Sequence, residues 1–262
     1  MLYFIYFLLG FIATLIGAIA GLGGGIIIKP LLDLLGDYNL QSISVLSVFT
    51  VFMMAVVSLI SSKQFRKQID KTQSLYIAIG SINGGLIGKF IFRFLIEQEI
   101  VTNQIVGQIQ SAMLVGIMVI ILILMNFRHL FTTYKLSHPT SIVAIGFLLG
   151  ILSAFLGIGG GPLNVAILCW LFSMNTKQAT INSVFIIFFS QLAAISVIVF
   201  GNNWSSYQLH MLPAMIIGGA LGGLLGSRFA ILINTNQIMK VFNVTIFCIM
   251  FINIYNFFHT SQ

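Results

Sequence analysis

Apolar residues fill eight long stretches of the chain, at residues 3–35, 41–61, 74–96, 105–126, 141–173, 180–200, 209–232 and 237–258. Polar breaks separate them, most clearly at 61–72 (SSKQFRKQIDKT), 97–104, 126–139, 201–208 and 234–237. Every stretch reaches the ~20 residues that an α-helix needs to cross a bilayer. Transmembrane β-strands alternate apolar and polar positions, whereas residues 113–125 (MLVGIMVIILILM) are apolar on every face. The pattern therefore predicts an all-α integral membrane protein. The first and fifth stretches run to 33 residues, too long for one straight crossing at ~1.5 Å per residue. Each has a glycine cluster near its middle, GLGGG at 21–25 and GIGGG at 157–161. Each is read as two shorter helices joined by an irregular turn.

The two clusters also expose a duplication. An offset of 136 residues carries Gly21, Gly23, Gly24 and Gly25 onto Gly157, Gly159, Gly160 and Gly161, and Ser47-Val48-Phe49 onto Ser183-Val184-Phe185. Farther on, Gly80, Gly84, Gly85 and Gly88 match Gly218, Gly222, Gly223 and Gly226 at an offset of 138. The chain thus divides into a first membrane repeat at 1–126, a cytoplasmic linker at 127–139 and a second repeat at 140–262.

Composition agrees, with 58% hydrophobic and 6% charged residues. A net charge of +7 would suit nucleic acid, but the basic residues form no aromatic-interleaved patch, so nucleic acid is excluded as a partner. In a membrane protein such charge reports orientation. If every stretch crosses once, the twelve basic residues divide equally between the two sides. If the two glycine-broken stretches enter and return, with the N-terminus outside, nine fall inside and only Lys29, Lys89 and Arg93 outside. The positive-inside rule favours this second arrangement, in which the halves are inverted relative to one another. Ala18-Ile19-Ala20 resembles a signal-cleavage site, yet no basic segment precedes it, so the N-terminus is read as a retained membrane segment. Cys169 and Cys248 stand singly in apolar runs and are read as packing residues.

Candidate chemistry starts at the glycines. Apolar, helix-compatible sequence follows each cluster, and Pro162 suits a first helical turn, where its missing N–H has no partner to lose. Gly23, Gly24 and Gly25, like Gly159, Gly160 and Gly161, are therefore expected at helix N-termini, whose exposed amides and dipole attract anions without a charged side chain. Glycine rows such as Gly84/Gly88, Gly146/Gly150 and Gly222/Gly226 have instead the small-xxx-small spacing of helix packing. Ser47, Thr180, Asn182 and Ser183, opening the next helices, could donate hydrogen bonds to an oxyanion or equally serve interhelical bonding and capping. Asn164 is a further donor. Lys29 and Asp33 stand i,i+4 and could pair on one face; Asp33 is the best carboxylate for coupling to a proton or other ion, with solvation of both groups the competing reading. No two histidines have metal-ligand spacing and no nucleophile has a base partner, so neither enzyme, metal nor cofactor is expected.

The paired patterns GAIAGLGGGIIIKPLL and SAFLGIGGGPLNVAIL, each followed at the same distance by Ser-Val-Phe, resemble the TauE/SafE family of membrane transporters, also called the sulfite exporter family. The resemblance covers nearly the whole chain. It implies secondary transport of a small anion, a sulfur oxyanion or organosulfonate of the sulfite, thiosulfate or sulfoacetate type, by a multi-pass protein of the cell (inner) membrane. The bilayer and the anion are then its partners. A non-transporting membrane scaffold or subunit is the competing class. The halves are unequal, with Ile26 facing Pro162 and Leu46 facing Asn182 across the repeat, which weights the second half for binding. For the inverted arrangement, a cysteine placed at Ser206 should label from outside the cell and one at Gln64 only from inside; labelling from the same side refutes it.

Overall fold

Helices form wherever the chain is apolar, and they end where polar residues or glycines interrupt it. The computed structural model describes residues 2–61, 63–97, 103–127, 132–156, 159–200 and 207–259. Gly157 and Ser206, named above, lie outside the described residues, as do the side chains of Lys89 and Arg93. The first long stretch holds α1 (Leu2–Ala20) and α2 (Gly25–Leu35), followed by α3 (Leu40–Ser61), a short α4 (Lys63–Lys67), α5 (Lys71–Glu97) and α6 (Asn103–Asn126). The fifth stretch holds α7 (Pro139–Leu156) and α8 (Gly161–Leu171), followed by α9 (Thr176–Phe200), α10 (Leu212–Leu232) and α11 (Thr235–His259). Among the described residues there is no strand. Among the described residues, six helices are long and apolar enough to cross a membrane. Large apolar side chains such as Phe90, Phe200, Leu232 and Val244 point outward, which suits hydrocarbon rather than water.

Rows of glycine set the helix directions. Gly80, Gly84 and Gly88 on α5 face Val143, Phe147 and Ile151 on α7 in rising order, and Gly146 and Gly150 face Ile77 and Ser81 in return. These two helices are parallel and in backbone contact. Gly218, Gly222 and Gly226 on α10 meet Phe7, Phe11 and Leu15 on α1 in the same way, while Gly219 and Gly223 meet Thr50 and Met54 on α3. Helices α1, α3 and α10 therefore run one way. Phe52 stacks on Phe188 and Val45 clusters with Ile198, so α9 runs against α3. Ser74 near the start of α5 bonds Asn182 near the start of α9, and these two helices pack side by side. The second set is thus α5, α7 and α9.

Two consequences follow. Because α1 and α3 point the same way, α2 must bring the chain back, and the stretch 3–35 is a hairpin. Helices at matching places in the two halves, α1 with α7, α3 with α9 and α5 with α10, run oppositely.

Bilayer hydrocarbon rewards helix contact only through close packing and polar bonds. Here the glycines supply the first, while Ser58, donating to Gly223 O at 3.1 Å, and Ser61, 2.7 Å from Ser227 Oγ, supply the second between α3 and α10. Both ends are tied by polar groups. On one, Tyr6 donates to Asp37 Oδ2 at 2.6 Å and the Tyr38 hydroxyl meets His210 Nε2 at 2.9 Å. Burial, then the Asp37 charge, push the Tyr38 phenol above its ordinary range. On the other, the Lys177 ammonium caps the carbonyls of Ile231 and Ile233 at the end of α10.

A β-carbon at Gly84 would overlap the Phe147 carbonyl, whereas one at Gly116 on α6 meets nothing within 4 Å. Gly84→Ala should lose about 1–3 kcal/mol through overpacking, and Gly116→Ala should lose nothing and gain up to about 1 kcal/mol from helix propensity. Denaturation midpoints of the two variants in detergent check this; equal midpoints would contradict it.

Candidate functional site

The two glycine turns meet inside the protein. In the first, Gly21, Gly23 and Gly24 take positive φ, and in the second Gly159 and Gly160 do. At Gly24 (φ 70°) and Gly160 (φ 79°), the N-cap residues of α2 and α8, the left-handed backbone lets each chain reverse direction within a few residues. The turns then touch, for Gly161 lies so close to the Leu22 carbonyl that a β-carbon would overlap it. The N-termini of two oppositely directed half-helices are thereby brought together. Neither N-cap carries a side-chain capping bond, and first-turn amides have no acceptor within their own helix.

One face of α9 lines both turns. Thr180, Ser183, Ile187 and Gln191 recur at helical spacing. Thr180 Oγ1 donates to Ala20 O at 3.3 Å, and Ser183 Oγ donates to Gly21 O at 2.7 Å and stands 3.3 Å from Gly161 O. Ile187 lies against Gly23, and a methyl group at Gly159 would stand 2.9 Å from Gln191 Nε2. The carbonyl ends of the broken backbone are therefore capped from α9, together with Gly17 O, which accepts from the Leu22 and Gly23 amides.

The second turn is the more polar. A methyl group at Gly160 would stand 3.1 Å from Ser153 Oγ and 3.4 Å from Asn164 Nδ2. Asn164 is 2% and Gln191 5% exposed, and Asn164 Oδ1 and Gln191 Oε1 are buried without a hydrogen-bond partner. A buried amide oxygen left unbonded is costly. Across the repeat, Ser153, Asn164 and Gln191 correspond to Gly17, Ile28 and Ala55. The first turn has no such polar set.

The residues singled out from sequence separate into groups. Gly23, Gly24, Gly159, Gly160, Gly161 and Asn164 lie in or against the paired turns, with Gly25 opening α2. Thr180 and Ser183 reach them as caps on carbonyl groups. Asn182 points elsewhere: its Oδ1 accepts from the Asp70 amide at 2.8 Å and Ser74 Oγ at 2.7 Å, and its Nδ2 donates to Gln178 O at 2.8 Å. It anchors the start of α5. Ser47 is buried on α3, and the nearest neighbours of the turn glycines lie on other elements. Lys29 is half-buried and Asp33 exposed on α2. Sequence reasoning missed Ser153 and Gln191. The signal was present in Gln191, a lone amide within the apolar run at 180–200 whose repeat counterpart is Ala55.

Comparison with known proteins was then possible. The family model described as "Sulfite exporter TauE/SafE" matches residues 6–253. The chain is 27% identical over 279 aligned positions, covering 95% of its length and 96% of the other protein, to "Probable membrane transporter protein YunE" of Bacillus subtilis (strain 168). No solved structure is a significant match.

Loss of the Asn182 side chain should free the Asp70 amide and the Ser74 hydroxyl at the start of α5 without touching the glycine turns. Asn182→Ala is expected to cost about 1–3 kcal/mol and to speed hydrogen exchange at Asp70, whose amide it holds. Unchanged exchange there would refute the anchoring role.

Proposed function

The chain belongs to the sulfite exporter TauE/SafE family of membrane proteins, and from that premise we propose that it is a secondary transporter of a small sulfur oxyanion or organosulfonate, bound where its two glycine turns meet. The observation that carries this reading is that two helix N-termini without side-chain caps start at touching glycine turns, beside two buried amide oxygens that have no hydrogen-bond partner among the described residues. An oxyanion accepts from backbone amides and from Asn164 Nδ2, and the helix dipoles favour its charge without a permanent cation. A neutral site of this kind suits transport, because it binds without holding too tightly. The amide oxygens of Asn164 and Gln191 would receive the donor of a protonated oxyanion or of an accompanying water.

Residues 1–126 and 140–262 act as inverted repeats that rock about the site, giving alternating access. The opposite directions of matching helices support this. Asp33, with Lys29 one turn away, is the group through which a proton or other ion would couple. No nucleotide-binding motif is present in the sequence, which supports drive by an ion gradient. Transport, rather than chemical change of the anion, is the activity. The name of the Bacillus subtilis relative, "Probable membrane transporter protein YunE", agrees in kind.

In reconstituted vesicles offered sulfite, thiosulfate and sulfoacetate, the wild type should carry at least one of these anions. Gly160→Leu should abolish that flux, because φ 79° and the neighbouring Ser153 leave no room for the side chain. Asn164→Ala and Gln191→Ala, milder changes, should each reduce it about ten-fold, the equivalent of one buried hydrogen bond to an anion. Undiminished flux through folded Asn164→Ala and Gln191→Ala variants would exclude this site.

A further inference from the structure

The side chains meeting Gly159 and Gly160 are neutral, so the turns themselves exert little long-range pull on an anion in bulk water. A different part of the molecule has that pull. The connection between α3 and α5 forms an open cleft of about 620 Å³ walled by Lys63, Arg66, Lys67 and Lys71 over an apolar floor of Leu59, Ile69 and Phe185. Among the described residues no carboxylate pairs with any of the four cations. Asp70, the acid of this connection, is turned to other work, its Oδ1 accepting the Gln73 amide at the start of α5.

The cleft is held in shape rather than spread into solvent. Phe65 is fully buried and pins α4 beneath the bundle, while the Gln68 and Ile69 amides bond back to Phe65 O and Arg66 O. Its wall is also joined to the glycine turns through one helix. Asn182 bonds the Asp70 amide and Ser74, Ser183 beside it bonds Gly21 O, and Phe185 forms part of the cleft floor. From Phe185 to Gln191 the rise along α9 is about 9 Å. Topology alone would ask only for positive charge on this face. It would not require four unpaired cations around one concavity braced against the helix that lines the inner site.

We propose that this cleft is a second, shallower anion site, an inner-face port that gathers the transported oxyanion and raises its concentration beside α9. The assignment rests on the transport reading above and adds the residues that the anion meets first. Like other charged vestibules, the port speeds capture by one to three orders of magnitude at low ionic strength and loses that advantage in high salt.

The full-length protein, in vesicles of neutral phosphatidylcholine with sulfite as probe, provides the test. Sulfite should slow amine-reactive labelling of Lys63, Lys67 and Lys71 several-fold relative to Lys135 and Lys240, and Arg66→Gln should weaken that protection. Replacing all four cations by Gln should raise the half-saturating sulfite concentration about ten-fold more at the inner face than at the outer, with the difference vanishing in high salt. Equal effects at both faces, or no selective protection, overturn the port. If phosphatidylglycerol vesicles protect the same lysines and sulfite adds nothing in either lipid, the cleft holds lipid headgroups and the proposal fails. Sulfite flux without lysine protection removes the port and leaves the transport reading standing. Lysine protection in a protein that carries no sulfite overturns the transport reading and the port with it.

Discussion

Backbone that breaks inside a bilayer must find partners for every exposed carbonyl and amide, and the architecture of this protein follows from how two such breaks are reconciled. At the first, carbonyls of Gly17, Ala20 and Gly21 would be orphaned by the end of α1. They receive donors from the turn's own amides and from Thr180 and Ser183 on α9. No matching side-chain cap serves the N-termini of α2 and α8, because Gly24 and Gly160 have none to offer. The carbonyls receive side-chain donors from α9, while the N-terminal amides receive no side-chain cap.

Such turns can be held together only if the surrounding helices approach closely. The rows Gly80/Gly84/Gly88 and Gly218/Gly222/Gly226 allow this, seating α5 on α7 and α10 on α1 with backbone against backbone. Each row therefore joins the first helix of one half to a later helix of the other. The halves are interlocked rather than adjacent, and α9 passes both turns. A change at the cleft beside Phe185 and a change at Gly159 act on the same helix.

Function enters through inequality between the halves. The first turn is lined by Ile187, Ala13, Thr14 and Thr180, with Ser183 and Thr180 engaged by its carbonyls, and the second by Ser153, Asn164 and Gln191. In the proposed transport, a guest would therefore meet its polar side chains at the second turn. Asn182 illustrates how a polar residue near such a place can have a different task, since its oxygen is engaged by Asp70 and Ser74 at the start of α5 and its nitrogen by Gln178 O one turn back on α9.

Sequence by itself determined the all-α membrane class, the eight apolar stretches, the breaks at the two glycine clusters and the family, because burial in hydrocarbon imposes length, apolarity and helix on each segment locally. It also pointed to the glycines, Asn164 and Pro162, whose chemistry is evident from composition and spacing. Tertiary structure alone decided which helices pair and in which direction, since glycine rows read the same whether their partner is parallel or antiparallel. It alone put Gln191 and Ser153 beside Gly159 and Gly160, turned Asn182 away, and made Thr180 and Ser183 caps on carbonyls. Those roles depend on the side chain's direction around its helix and on what stands opposite. Neither is encoded in spacing along one segment; both arise when distant segments are packed together.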